Sequence, residues 1–286
     1  MKTAVSTYSF SKLFGDSFKE TDVFAKAKEM GFDAVEVSSF CVPEGMSEEE
    51  YAKLLKETAD KAGIPIINFC MAADFISGSD GNFDAEVARL KKRVDIAEIL
   101  GVKTMRHDVT WNKGDYRSFD MALDLLADGC RQVAEYAQTK GIRTMVENHG
   151  SFCQDSDRME RLFNKVNHPN FSLLVDMGNF MCADETPYLA VSRTAPYAAF
   201  AHAKDFYYKK GSAPNPGKGF FKSRSGSYLK GTIIGHGDVD VQHCVIALKN
   251  AGYDGYISIE FEGMEDVLEA IRIGLDNLKF YISNAE

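Results

Sequence analysis

No Cys-x-x-Cys pair occurs among the six cysteines, Cys41, Cys70, Cys130, Cys153, Cys182 and Cys244. Zinc-ribbon spacing is therefore absent, and a disulfide framework is not expected in a chain of 286 residues. No apolar run approaches the roughly 18–20 residues needed to span a bilayer. The first residues, Met1–Tyr8, carry no long apolar stretch of the secretory kind, so a reducing cytoplasm is the expected location. No G-x-G-x-x-G follows the first strand-like run, which removes the dinucleotide fingerprint. Basic residues are outnumbered: 33 Lys and Arg stand against 42 Asp and Glu, a net charge of −9 that disfavours general nucleic-acid binding. A hydrophobic content of 45% supports a large core.

What is present is alternation. Short β-rich runs, at residues 4–10, 34–40, 64–71, 104–109, 143–147, 171–176, 199–204 and 256–261, are each followed by a helical pattern. Ser47 with Glu50 forms a capping box before one helix, and Gly31, Gly63, Gly101, Gly141 and Gly252 supply stop signals. Eight βα units imply parallel strands with helical crossovers. At this length they favour one closed (β/α)₈ barrel over residues 1–286 rather than an open doubly wound sheet.

Four of these strands end in metal-binding side chains. They read Met145-Val146-Glu147-Asn148-His149, Leu174-Val175-Asp176-Met177-Gly178-Asn179, Ala201-His202-Ala203-Lys204-Asp205 and Ile259-Glu260-Phe261-Glu262. A barrel gathers strand C-termini at one face, where active sites lie. Glu147, Asp176, His202 and Glu260 would then form one site on consecutive strands. Three carboxylates and an imidazole suit Mn²⁺ first, with Mg²⁺, Co²⁺ or Zn²⁺ as alternatives, and not a structural zinc, which prefers thiolates. Taken singly, each carboxylate serves equally well as a helix cap; the set of four in register carries the argument.

With E-x-H at 147–149, D-x-x-N at 176–179, H-x-K-D at 202–205, G-x-G-D-V-D at 235–240 and I-S-I-E-x-E at 257–262, the chain resembles the sugar phosphate isomerase/epimerase family of xylose isomerase-like barrels. That group includes D-tagatose/D-psicose 3-epimerases, hydroxypyruvate isomerases, inosose dehydratases and apurinic-site endonucleases. The resemblance spans essentially the whole chain and implies one divalent ion held by Glu147, Asp176, His202 and Glu260. Asn179 stands where many members carry a His. With Asn68 and Cys70 on the third strand, a three-zinc endonuclease site is incomplete.

The chemistry expected is proton abstraction beside a metal-polarised carbonyl of a small ketose or sugar phosphate, with Glu147 and Glu260 as the proton carriers. An alternative is a lyase or dehydratase acting on a keto sugar, an inosose or a 3-keto glycoside, with His149 as base. A non-catalytic sugar-binding barrel is the third reading, opposed by the presence of two suitable glutamates. His107, Asn179, Lys204 and His236 are expected as substrate contacts, and Asp238 as a helix N-cap. Residues 207–235 read as a long basic loop. It carries Lys209, Lys210, Lys218, Lys222, Arg224 and Lys230 with interleaved aromatics and no acidic residue, and is expected to cover the pocket or to join a homo-oligomer; the pattern also resembles a single-stranded nucleic-acid surface, which the rest of the chain does little to support. Cations in a cover would favour a phosphorylated or carboxylated sugar.

Overall fold

The glycine stops are realised as left-handed caps. Gly31, Gly63 and Gly101 adopt φ of 88°, 66° and 75° and close the helices that precede them. The computed structural model describes residues 1–285. In chain order the elements are β1 (Lys2–Ser6), α1 (Asp22–Met30), β2 (Ala34–Val37), α2 (Glu48–Ala62), β3 (Ile66–Met71), the single turn α3 (Gly78–Gly81) and α4 (Phe83–Leu100). They continue with β4 (Thr104–His107), α5 (Phe119–Thr139), β5 (Arg143–Glu147), α6 (Ser156–Val166), β6 (Phe171–Asp176), the single turn α7 (Asn179–Cys182), α8 (Pro187–Thr194) and β7 (Ala198–Ala203). The last are β8 (Asp205–Lys209), β9 (Phe221–Lys222), β10 (Tyr228–Thr232), α9 (Val241–Asn250), β11 (Tyr256–Ile259) and α10 (Val267–Ser283).

Eight strands close a parallel barrel in the order β1-β11-β7-β6-β5-β4-β3-β2. Most of the apolar core lies between strands and helices, as Val35, Phe69, Val146, Leu173 and Ile257 show. The barrel interior is plugged by a smaller cluster of Cys70, Met145, Leu174 and Phe200. Above that plug the inward positions are polar, and Glu36, Asn68, Arg106, Glu147, Asp176 and His202 are all buried. All six cysteines are free thiols. Among the described residues no helix is long and apolar enough to cross a membrane.

Two expectations are corrected. The first strand stops at Ser6 and not Phe10, because Ser6 caps a 3₁₀ helix over Thr7–Leu13 and Thr7 donates its hydroxyl to buried Glu20. Residues 207–235 are not an irregular loop. They form most of a three-stranded antiparallel sheet, β8-β10-β9, in which Asp205 lies level with Thr232 and Lys209 with Tyr228. Asp205 fixes its root: the buried carboxylate accepts the backbone N–H groups of Gly235, Gly237 and Val239 at 2.8–3.1 Å. The far end is fixed as well. Arg224 reaches Asp155 at 2.7 Å and the Ser151 carbonyl at 2.9 Å, while Asp184 accepts the Ser223 hydroxyl and the Ser225 N–H.

Candidate metal centre and cleft

Strand alternation decides which side chains face the axis. On β6 and β7, Asp176 and His202 are level with each other, and His202 is level with Ser258 of β11. His202 stands at the centre. Its Nδ1 lies 3.4 Å from Glu147 Oε1, 3.7 Å from Asp176 Oδ2 and 3.8 Å from Glu260 Oε2. One ligand atom from each of Glu147, Asp176, His202 and Glu260 lies within 4.8 Å of all the others.

The donor set fits a divalent cation. His202 Nδ1 is buried and has no hydrogen-bond partner, and Asp176 Oδ2 makes no hydrogen bond and has only the Lys204 ammonium 3.3 Å away, an arrangement that costs free energy unless something binds there. Four carboxylates, Glu36, Glu147, Asp176 and Glu260, lie against His202. Two cations contact them: Arg106 meets Glu147 at 2.6 Å, and Lys204 meets Glu260 at 2.5 Å and Asp176 at 3.3 Å. Asp108 shares Arg106 with Glu147, at 2.7 Å, so the ring keeps an excess of negative charge of the kind that attracts a divalent ion.

The surrounding residues hold these groups in orientation. Glu36 of β2 faces the other ring nitrogen, His202 Nε2, at 2.8 and 3.0 Å. A carboxylate there accepts Nε2–H and leaves the Nδ1 lone pair to the site. Glu36 also accepts from Asn68 at 2.7 Å and Cys70 at 3.0 Å. Burial pushes its carboxyl up, but His202 and these donors outweigh burial and hold it below the usual range. Asp176 Oδ1 accepts the N–H groups of Gly178 and Asn179, which turns Oδ2 toward His202. Asn148 pairs with the Asp176 backbone through both ends of its amide. Asn179 donates to Glu147 at 3.0 Å and accepts from Lys204 at 3.2 Å. For Glu147, burial is again outweighed, by Arg106 and His202, and its carboxyl is held well below the usual range.

Beside the carboxylates stands a second arrangement. His149 Nδ1 lies 2.9 Å from Asp108 Oδ1 and 3.0 Å from an Arg106 guanidinium nitrogen, which binds the same Asp108 oxygen at 2.7 Å. With Nδ1–H donated to Asp108, Nε2 carries the free lone pair. Burial lowers the His149 pKa, but the Asp108 bond and charge prevail and raise it above its usual value. The ring meets Trp111 edge-on at 4.7 Å between centroids. His149 and Lys204 both line the cleft.

The cleft has two chambers. An inner recess of about 350 Å³ is lined by Arg106, Asp108, Glu147 and Glu260 among others, and an outer chamber of about 570 Å³ is bounded by Gly219, Phe221 and Gly231 of the small sheet. Tyr8, Trp111, His149, Lys204 and Glu262 line both.

Three expected positions fall elsewhere. His107 is fully buried outside the cleft, with its ring edge-on to Phe75 and Nδ1 on the Asp108 carbonyl at 2.7 Å. The alternation of β4 sends Arg106 inward and His107 toward the helices. His236 is exposed on the turn after β10 and lines neither chamber. Asp238 does not cap α9. Asp240 does so by accepting from the His243 N–H, while Asp238 accepts from the Tyr208 N–H at 2.7 Å. Sequence reasoning missed Glu36, whose one signal was a lone charge within the apolar run Ala34-Val35-Glu36-Val37. It also gave no role to Arg106, Asp108, Trp111, Tyr8 or Glu262.

A model of the xylose isomerase-like TIM barrel family matches residues 24–281. The chain belongs to this family. Among curated relatives, an inosose dehydratase of Clostridium beijerinckii is 26% identical over 153 residues, 52% of this chain and 50% of that protein. The chain thus spans about half the length of the curated relatives it matches. Among solved structures, the IOLI protein with a bound zinc atom superposes with a TM-score of 0.77 at 17% identity, covering 100% of this chain and 99% of that one. An L-ribulose 3-epimerase superposes with a TM-score of 0.74 at 15% identity, covering 99% and 95%. At these identities the structural likenesses speak for the fold alone, which agrees with the closed barrel seen here.

Proposed function

We propose that this chain is a divalent-metal-dependent enzyme that removes a proton next to a carbonyl of a small polyhydroxylated substrate and eliminates a β-oxygen substituent. The observation that carries this reading is the His149–Asp108 pair in the cleft wall, beside the Glu147/Asp176/His202/Glu260 cluster. A bound ion would polarise substrate oxygens as a Lewis acid. His149 Nε2 takes the proton, and Asp108 orients the ring and stabilises the imidazolium that forms. The C–H electron pair becomes the new C=C bond. The β-carbon–oxygen bond breaks with its pair, and the departing oxygen takes up a proton, so one water is lost overall, or one aglycone alcohol if that oxygen carries a substituent. Asn179 and Lys204 hold the carboxylate ring in place. The likeness to an inosose dehydratase supports the same class.

A second reading is isomerisation or epimerisation of a ketose or sugar phosphate with Glu147 and Glu260 as proton carriers. It is favoured by their convergence on His202. The short pair of Glu147 with Arg106 weighs against it, because a carboxylate held ionised by a buried cation is a good ligand and a poor proton carrier.

Metal-loaded protein incubated in D₂O with inososes, 3-keto glycosides, ketoses and sugar phosphates separates the two. Loss of water or aglycone, slowed by at least about 10²-fold in His149→Gln, is the expected result. Deuterium entering beside the carbonyl without mass loss would replace elimination with epimerisation. Absence of bound metal after Mn²⁺ loading would remove both.

A further inference from the structure

From the two-chambered cleft we infer that the substrate is a neutral two-part molecule. A small polyol unit sits in the inner recess, and a second ring, sugar or aromatic, sits in the outer chamber. The inference takes the reacting unit to lie beside the carboxylate ring, as proposed above.

Three observations lead there. First, the volume is in excess. The inner recess of about 350 Å³ holds the reacting groups, and the larger outer chamber of about 570 Å³ remains after one small ring is seated. Second, the outer walls offer ring-binding faces. Trp111 is 46% exposed, Phe221 41% and Tyr8 40%, and all three border the chamber. Large aromatics left this open inside a cavity present flat apolar surface that water solvates poorly. Ser151 and Gln154 on the same wall supply hydroxyl and amide groups for a polyol.

Third, the charge is wrong for an anion. None of the six basic residues of the small sheet lines either chamber. Arg224 is held by Asp155, Lys230 lies over the rings of Tyr207 and Phe220, and Lys222 lies over Tyr228. Lys209, Lys210 and Lys218 are exposed. The outer lining has one permanent cation, Lys204, and one carboxylate, Glu262, besides the His149 imidazole that is held by Asp108. The Lys204 ammonium already contacts Glu260, Asp176 and Asn179. A phosphate there would lose its hydration without gaining a free cation. The basic sheet thus covers the cleft without reading a charged substrate.

Trp111 is the single tryptophan of the chain, so intrinsic tryptophan fluorescence reports this cleft directly. The Mn²⁺-loaded protein is titrated with matched probes: methyl and phenyl α- and β-D-glucopyranosides, maltose, cellobiose and D-glucose 6-phosphate. At least one phenyl glycoside or disaccharide should bind about ten-fold more tightly than its methyl counterpart, the gain expected of one aromatic contact. Phe221→Ala should bring the two dissociation constants together. Glucose 6-phosphate should bind no more tightly than the methyl glycosides. The inference is overturned if no two-part probe exceeds its one-part counterpart, if the phosphate is preferred, or if Phe221→Ala leaves the difference intact. Because binding is read without turnover, a protein that binds two-part probes and eliminates nothing would disprove the reaction and not the subsite.

Discussion

Replacing Glu36 by Gln changes one oxygen to an NH₂ group and tests how the central imidazole is held. Three donors converge on this carboxylate: His202 Nε2–H, Asn68 Nδ2 and Cys70 Sγ, at 2.7–3.0 Å. An amide offers one acceptor oxygen and two donors of its own, so at least one of the three loses its partner. If the amide NH₂ turns toward His202, the ring proton moves to Nδ1, the nitrogen that faces Glu147, Asp176 and Glu260. The residue that orients a metal-binding histidine typically contributes 10–100-fold in affinity, so the loss should be about 1.4–2.8 kcal/mol. Competition of Mn²⁺ and Zn²⁺ against a chromophoric chelator measures it. ¹⁵N shifts of the His202 ring in the Zn²⁺-loaded protein report which nitrogen carries the proton. Glu36→Asp, which keeps the charge, should recover part of the affinity. An E36Q protein that folds normally and binds metal within two-fold of the parent would refute the tautomer argument. Failure of the parent to bind would refute the metal site instead.

His149→Gln should lower kcat by about 10²–10⁴-fold while leaving metal stoichiometry unchanged, as metal analysis beside steady-state kinetics would show. Gly178→Ala should cost about 1–3 kcal/mol, because a Cβ there would lie 2.8 Å from the Lys204 carbonyl and 3.0 Å from Phe206; a melting temperature equal to the parent's would contradict it. Burial holds His107 down at about 4, against 6.5 in an unfolded chain. The native state therefore binds fewer protons between those values. Its stability from this group is complete above pH 6.5 and drains as pH falls toward 4, by about 3 kcal/mol at roughly 1.4 kcal/mol per unit. Urea midpoints compared across this window should be steeper for the parent than for His107→Asn, and parallel curves would speak against it.

The barrel was legible because its punctuation is local. A capping box at Ser47 and left-handed glycines at 31, 63 and 101 mark helix ends with no reference to tertiary structure. The carboxylate set was legible because strand-end position and barrel closure together bring distant residues to one face. What failed depended on phase or on partners. In a strand as short as β4, one position of slip exchanges Arg106 for His107 on the inner face. Glu36 gives no sign of its partner because that partner, His202, lies 166 residues away. The basic segment looked irregular because β9 is only two residues long, and the main pairing, β8 with β10, spans the intervening residues 210–227.

The small sheet is fastened at both ends, by Asp205 at its root and by Arg224 and Asp184 at its tip. A cover joined to the barrel on two opposite sides behaves as a bridge and not a door. Phe221 and Trp111 both line the chamber beneath it, so side-chain rotation there would adjust access without a swinging hinge. Side-chain rotation of exposed residues takes picoseconds to nanoseconds, against microseconds to milliseconds for a segment that opens. Entry and exit would then need no segment to open, and a viscosity effect on turnover should be small.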